Sequence, residues 1–214
     1  MSDVLFALVL LGYFGVAIAW PTLRMWRRHG VWPIVFDRAE APAQRLIGAL
    51  LVVLFAGLLA LAAAYATAGS AALGVWTVPA PVRTAGWIAL FAGTLLTVVA
   101  QRQMGASLRI GIDDRPTALV TSGLFRVMRN PIFTGMLLFV AGVAALSPAW
   151  WSLAALVATA FGIRMQVALE ERHLIALHGA GYLDYASRVG RFVPLAGRLR
   201  ALPSAPITAP GARG

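Results

Sequence analysis

Between Leu46 and Val82 the chain carries no charged residue, and Val4 to Trp20, Thr84 to Gln101 and Asn130 to Ile163 are uncharged as well. A helix needs about 20 apolar residues to cross a bilayer core of about 30 Å, and runs of this kind supply them. With 60% hydrophobic residues over 214 positions and a mean hydropathy of +0.79, the chain is too apolar for an ordinary soluble domain. It reads as an all-α, polytopic integral membrane protein.

Val4 to Trp20, extended by Thr22 and Leu23, forms the first span. Ala17-Ile18-Ala19 has the form of a signal-peptidase site, but only Asp3 precedes the apolar run, so the segment reads as an uncleaved anchor. Arg24, Arg27, Arg28, Arg38 and Arg45 follow it, which places this loop in the cytoplasm and the N-terminus outside. Trp20, Trp26 and Trp32 belong near the interface. Leu46 to about Ala68 is the second span, Gly69 to Pro81 an outer connection, and Thr84 to Gln101 the third span, returning to the cytoplasm at Arg102. Ser147-Pro148 divides the last apolar run into arms Ile132 to Leu146 and Ala149 to about Leu169, a helical hairpin with its tip outside. The first arm is short for a full crossing, which puts its Asn130 end below the membrane surface. The count is about five spans, with the C-terminus in the cytoplasm and a bacterial cytoplasmic membrane as the expected location. Residues 1–100 hold the first three spans, 101–194 the polar loop, hairpin and C-terminal helices, and 195–214 a Pro/Ala-rich tail expected to be disordered.

The net charge of +10 comes from 18 basic residues, all arginine, against 8 acidic ones. They cluster between the apolar runs, where topology accounts for them, so nucleic acid is not an expected partner and membrane lipid is. No cysteine is present, which excludes disulfides, thiolate metal sites and a catalytic thiol. His29, His173 and His178 share no metal-ligand spacing, and Asp113-Asp114-Arg115-Pro116 reads as a surface turn, so no metal is expected. Phosphate-loop, zinc, EF-hand and serine-nucleophile patterns are absent.

The polar stretch that remains runs from Leu119 to Gly135, LVTSGLFRVMRNPIFTG. Arg126 and Arg129 precede Asn130, a good N-cap residue, and Pro131 suits the first helical position because it has no N–H to leave unpaired. The first N–H groups of that helix and its positive dipole end then face an arginine-rich segment, a ready site for an anionic group. A capped membrane helix with flanking arginines is the plainer reading. Further on, Arg164 and Gln166 lie inside the second hairpin arm and Glu170-Glu171 close it. Arg164 and Glu171 share a helical face, which admits a functional pairing within the membrane; snorkelling of Arg164 and solvation of the glutamates is the alternative. After Glu171 a helix to about His178, a Gly179-Ala180-Gly181 break and a helix from Tyr182 to Val189 are expected. Arg188, Arg191, Arg198 and Arg200 make this surface basic, suiting an anionic leaflet or ligand.

Leu119-Val120-Thr121-Ser122-Gly123, Arg129-Asn130-Pro131-Ile132-Phe133-Thr134-Gly135, Glu170-Glu171, and Tyr182-x-x-Tyr185 leading to Val189-x-Arg191-Phe192-Val193-Pro194 together resemble the isoprenylcysteine carboxyl methyltransferase and phospholipid methyltransferase superfamily, membrane enzymes that use S-adenosylmethionine. The resemblance spans roughly residues 101 to 194. Asn130 stands where the family often has His, and Phe133 where it often has Tyr. The resemblance implies an S-adenosylmethionine-dependent methyltransferase in which Arg129, Asn130, Pro131, Phe133, Gly135, Glu170 and Glu171 line the cofactor pocket, with Arg129 and Glu171 at its catalytic centre. Arg126, Arg129, Arg188 and Arg191 are candidates for the cofactor carboxylate, and Glu171, with Glu170 behind it, for the ribose diol. Phe133 and Tyr185 either face the adenine or sulfonium or serve packing. S-adenosylhomocysteine would be the product. The acceptor is expected to be lipophilic: a prenylated C-terminus, an isoprenoid, a lipid amine or a small hydrophobic thiol. The lack of an evident base tilts this toward an ionised carboxylate. The rival readings are a sterol-reductase-like enzyme using NADPH and a non-catalytic membrane scaffold; oligomeric state is left open.

Overall fold

A computed structural model describes residues 3–30, 42–108 and 118–199, and its regular structure is helical throughout those residues. Trp32, Arg38, Arg109, Arg200, the Asp113–Pro116 turn and all but the first residues of the expected C-terminal tail lie outside them.

The first span is one long helix with a fault in it. Helix α1 (Asp3–Phe14) passes through a π-helical turn, Gly15–Ala19, into α2 (Trp20–His29). Pro21 is the cause: it has no N–H to give to Ala17, four residues back, so the hydrogen-bond ladder slips and Trp20 N–H reaches Gly15 O instead. The carbonyl of Ala17 recovers a partner from elsewhere, the Gln101 side-chain amide, whose Nε2 donates to it at 2.8 Å. Gly30, in the left-handed region at φ 62°, ends α2.

Helix α3 (Pro42–Thr67) leads through the short α4 (Gly69–Ala72) to α5 (Ala80–Met104), then α6 (Pro131–Leu146), α7 (Trp150–His178) and α8 (Ala180–Arg188). Four helices are long and apolar enough to cross a membrane, Asp3–Arg28, Gly48–Thr67, Ala80–Met104 and Trp150–His178, while α6 is a shorter apolar helix. Leu8, Val52, Val53, Ile88, Phe91, Leu95, Val157 and Phe161 stand exposed along them, as lipid-facing side chains do. The expected separate helix after Glu171 does not exist: α7 continues unbroken to His178 and the break falls at Gly179, φ 54°.

Two contacts position the site. Helices α5 and α6 form a hairpin-like pair whose backbones nearly touch through Gly86, Gly93, Gly135 and Gly142. A Cβ placed on Gly93 would lie 2.5 Å from Gly135 O, and one on Gly135 would collide with the Thr97 hydroxyl. In lipid, where apolar burial gives helices little reason to associate, such close approach is how they hold together. Gly135 therefore sits in the α5–α6 seam, a correction to its expected place in a cofactor pocket. At the far end, the tip between α6 and α7 is tied down: Tyr65 OH donates to Ser147 Oγ, Trp76 N–H to Pro148 O at 2.8 Å, and Trp151 Nε1 to Leu73 O at 2.9 Å. Phe6, Leu10, Tyr13, Tyr65, Leu90 and Phe139 fill the core between these helices.

Candidate functional site

Pro131 starts α6 at its first helical position, and the chain just before it is pinned to the segment after α8. Arg129 N–H donates to Gly190 O at 2.8 Å, Asn130 N–H to Arg191 O at 3.0 Å, and Met128 pairs with Gly190 in an isolated parallel bridge. The Asn130 side chain does not cap α6 as expected; its Nδ2 donates to Arg191 O at 3.1 Å. Thr134 Oγ1 closes this junction on Phe192 O at 2.8 Å.

Beneath the junction lies an ion network. The Arg129 side chain is 1% exposed and spends all five of its N–H groups: Nε and Nη2 on Glu171 Oε1 at 3.2 and 2.7 Å, Nη1 on the carbonyls of Ala186 and Val189, and Nη2 again on Gly197 O at 3.0 Å. Arg191 approaches Glu171 from the other side, Nε to Oε1 at 3.1 Å and Nη2 to Oε2 at 2.5 Å. Glu171 thus accepts four N–H bonds, about the capacity of a carboxylate. Its same-face neighbour Arg164 is not among its partners and stands exposed. The network clamps α6, α7 and the segment beyond α8 into one unit.

Against this unit opens a cavity of about 120 Å³. Of the residues anticipated from sequence, Arg129, Asn130, Pro131, Phe133, Glu170, Glu171 and Tyr185 line it; Met104, Ser107, Phe125 and Tyr182 join them without having been singled out for it. Arg126 is exposed and Arg188 pairs at the surface with Asp184, both away from the lining, because their positions on the local helices turn them outward. Arg191 reaches the site through Glu171. Tyr185 OH donates to Phe125 O at 2.6 Å. Burial pushes the Tyr185 phenol up to about 12, against the opposing pull of Arg129. Burial, with the Glu171 carboxylate adding to it, raises Tyr182 further. Both rings are neutral near pH 7.

Sequence reasoning did not find the second cavity. Helices α3, α6 and α7 enclose an apolar groove of about 550 Å³ that runs along α7 from Trp151 to Gln166. Its signal is present in retrospect: Ser152, Ala155, Thr159 and Gly162 recur at helical spacing, a stripe of small residues that leaves room beside the helix and ends at Gln166. Phe133 lines both the groove and the smaller cavity. Gln166, at the same end of the groove, donates through Nε2 to Glu170 Oε1 at 2.6 Å, so groove and cavity meet across one ring and one hydrogen bond.

The phospholipid methyltransferase family profile matches residues 82–181. Methanethiol S-methyltransferase 2 of Bradyrhizobium diazoefficiens is 34% identical over 113 residues, 51% of this chain and 42% of that protein. Methanethiol S-methyltransferase 1 of the same organism is 30% identical over 117 residues, 53% and 40% of the two chains. The matched region therefore spans about two fifths of each of these relatives. In fold, the chain is similar to a eukaryotic intramembrane Ras methyltransferase, isoprenylcysteine carboxyl methyltransferase, with a TM-score of 0.56 at 17% identity, covering 90% of this chain and 68% of that one. Motifs and family match converge on the same stretch: residues 82–181 match the phospholipid methyltransferase family, within a helical fold similar to that of isoprenylcysteine carboxyl methyltransferase.

Proposed function

We propose that the protein is a membrane methyltransferase that takes a methyl group from S-adenosylmethionine and places it on a lipophilic acceptor. The observation that carries this reading is the shared wall: a polar, aromatic cavity and a long apolar groove meet at Phe133. A water-soluble donor and a lipophilic acceptor need two such compartments in contact.

The residues of the smaller cavity fit the cofactor. The first turn of α6 opens on it at Asn130, Pro131, Ile132 and Phe133, and the unpaired N–H groups of a helix start suit a carboxylate. Arg129 of the ion network lines the same wall and adds its positive charge, with Arg191 behind it on Glu171. With Glu171 saturated by the two arginines, Glu170 is the carboxylate with capacity left for a ribose diol. Phe125, Tyr182 and Tyr185 offer rings to an adenine or a sulfonium cation. Arg129 and Glu171 face the cavity as well, but with their hydrogen-bonding groups spent on each other, on Arg191 and on main-chain carbonyls they chiefly hold the wall in shape.

When bound, the cofactor supplies an activated methyl group, and the chain's part is alignment in a dry site. The groove walls exclude water and aim the acceptor's head toward Phe133 and Gln166. Residues 101–194 form the catalytic unit on the first three spans, residues 1–100, as scaffold, with the N-terminus outside and the site on the cytoplasmic side, as the arginine distribution indicates.

Calorimetric titration of the detergent-purified protein with S-adenosylhomocysteine, with NADPH as comparison, tests the reading. Saturable binding of the first, weakened by Glu170→Ala, is expected. Preference for NADPH, or no binding to folded protein, overturns it.

A further inference from the structure

The arginine-bearing end of the first span carries charge that nothing among the described residues balances. Arg24 and Arg28 stand four residues apart on one face of α2, and Arg102, in the last turn of α5, joins them around a cavity of about 60 Å³. The acidic residues among those described are engaged elsewhere: Glu171 with Arg129 and Arg191, Asp184 with Arg188, Glu170 with Gln166, and Asp3 with Ser70 at the opposite end of the span. Like charges four apart on a helix repel, so an anion in the cavity relieves a repulsion built into this helix pair.

The cavity follows from the fault in the first span. The π-helical turn at Gly15–Ala19 and the Pro21 ring interrupt regular packing against α5, and Val16, Trp20, Pro21 and Val98 form the apolar wall. Gln101 stands on the same wall. The Ala17 carbonyl can only accept, so Gln101 turns its nitrogen there and its oxygen away. That oxygen is buried without a hydrogen-bond partner. It suits the water that a hydrated polar group brings, whereas an acyl chain would leave it unpaired. Apolar wall first and guanidinium groups beyond is the order of a lipid lying between two helices, chain and then phosphate. Trp20, 57% exposed, marks the boundary, since indole rings sit at the headgroup level.

We infer that this cavity holds the phosphate of an anionic membrane lipid, neutralised by Arg24, Arg28 and Arg102. Guanidinium groups present several N–H donors in one plane, which suits phosphate oxygens, and basic pockets between membrane helices are where such headgroups bind. A zwitterionic lipid carries a positive charge of its own into the same cluster and fits worse. None of the residues around this cavity lines the one beside Arg129 and Glu171, so the inference does not depend on methyl transfer.

The test is native mass spectrometry of the full chain in detergent, titrated with phosphatidylglycerol and with phosphatidylcholine of the same acyl chains. A basic residue beside an anionic lipid contributes about fivefold in affinity. Wild-type protein is expected to retain one phosphatidylglycerol about twentyfold more tightly than phosphatidylcholine. In Arg28→Gln/Arg102→Gln, where both side chains are exposed and carry no packing, that preference should fall to about one. Arg27→Gln/Arg164→Gln removes the same charge from exposed positions outside the cavity and should leave the preference unchanged. Thermal unfolding of both variants shows that each remains folded. Equal retention of the two lipids by wild-type protein overturns the inference. So does an equal loss in the second variant, which reduces the effect to general surface charge. Displacement of phosphatidylglycerol by an equal concentration of glycerol 3-phosphate makes the ligand a soluble phosphate and overturns the lipid as its source.

Discussion

Replacing Arg129 with Met keeps the apolar stem and removes the guanidinium. Glu171 then loses two of its four N–H bonds but retains Arg191, while the carbonyls of Ala186, Val189 and Gly197 lose a partner together. Removing one member of a buried pair costs about 3–5 kcal/mol, and water reaching the carbonyls once the segment loosens puts this case near the lower end, about 3 kcal/mol. The damage is local, because among the described residues the bonds of Arg129 and Arg191 run to Glu171 and to the segment from Ala186 to Gly197, and the core between α1, α3, α5 and α6 is built from other side chains. The reading is hydrogen exchange by mass spectrometry in detergent. Amides between residues 186 and 199 should exchange about a hundredfold faster than in wild type, with those of α5 unchanged. Arg191→Met is the contrast: its side chain is 33% exposed and Arg129 still holds Glu171, so the cost drops to about 1 kcal/mol. Unaltered protection of residues 186–199 in folded Arg129→Met protein would refute the idea that this guanidinium holds the C-terminal segment in place.

Three further outcomes are expected. Gly93→Ala places a Cβ 2.5 Å from the Gly135 carbonyl, so α5 and α6 must separate; thermal unfolding in detergent should show a loss of about 3 kcal/mol, at or beyond the top of the usual overpacking range. Gln101→Leu strips the Ala17 carbonyl of the amide that serves it, which should destabilise the first span by about 1–3 kcal/mol in the same assay. Tyr185 carries a folded-state pKa raised to about 12 from an ordinary value of about 10, so its protonated form supports the fold fully below about pH 10, and that support is lost as pH rises toward 12. Tyr185→Phe should lower stability near neutral pH by about 1 kcal/mol through the lost bond to Phe125 O, and should flatten the alkaline fall seen by pH-dependent unfolding.

The long helices, the Ser147-Pro148 tip and the start of α6 at Pro131 were legible because they depend on local properties: uncharged length, a missing N–H, a break in periodicity. What the sequence did not disclose depends on distance along the chain. Arg164 and Glu171 share a face of α7, yet Glu171 is claimed by Arg129 and Arg191, which come from other elements. Asn130 has the side chain of an N-cap, yet its Nδ2 is drawn to a carbonyl brought from residue 191 and it makes no cap bond to the helix. The site's glutamates were found by motif, but their division of labour was not, since only the folded arrangement reveals which carboxylate the arginines saturate. The groove escaped notice because hydropathy counts what side chains are and not the space that small ones leave.

Arg129 grips the segment beyond α8 entirely through main-chain oxygens, those of Ala186, Val189 and Gly197. Every amino acid brings a carbonyl, so the identities of the side chains along this segment matter little to the grip. Its path matters greatly: Gly197 sits at φ 73°, and a Cβ on Gly190 would run into the Val193 carbonyl. Side chains between residues 186 and 197 can then change without loosening the Arg129 grip itself, provided that the two glycines which bend the chain to meet it are kept along with Arg191, whose own side chain holds Glu171.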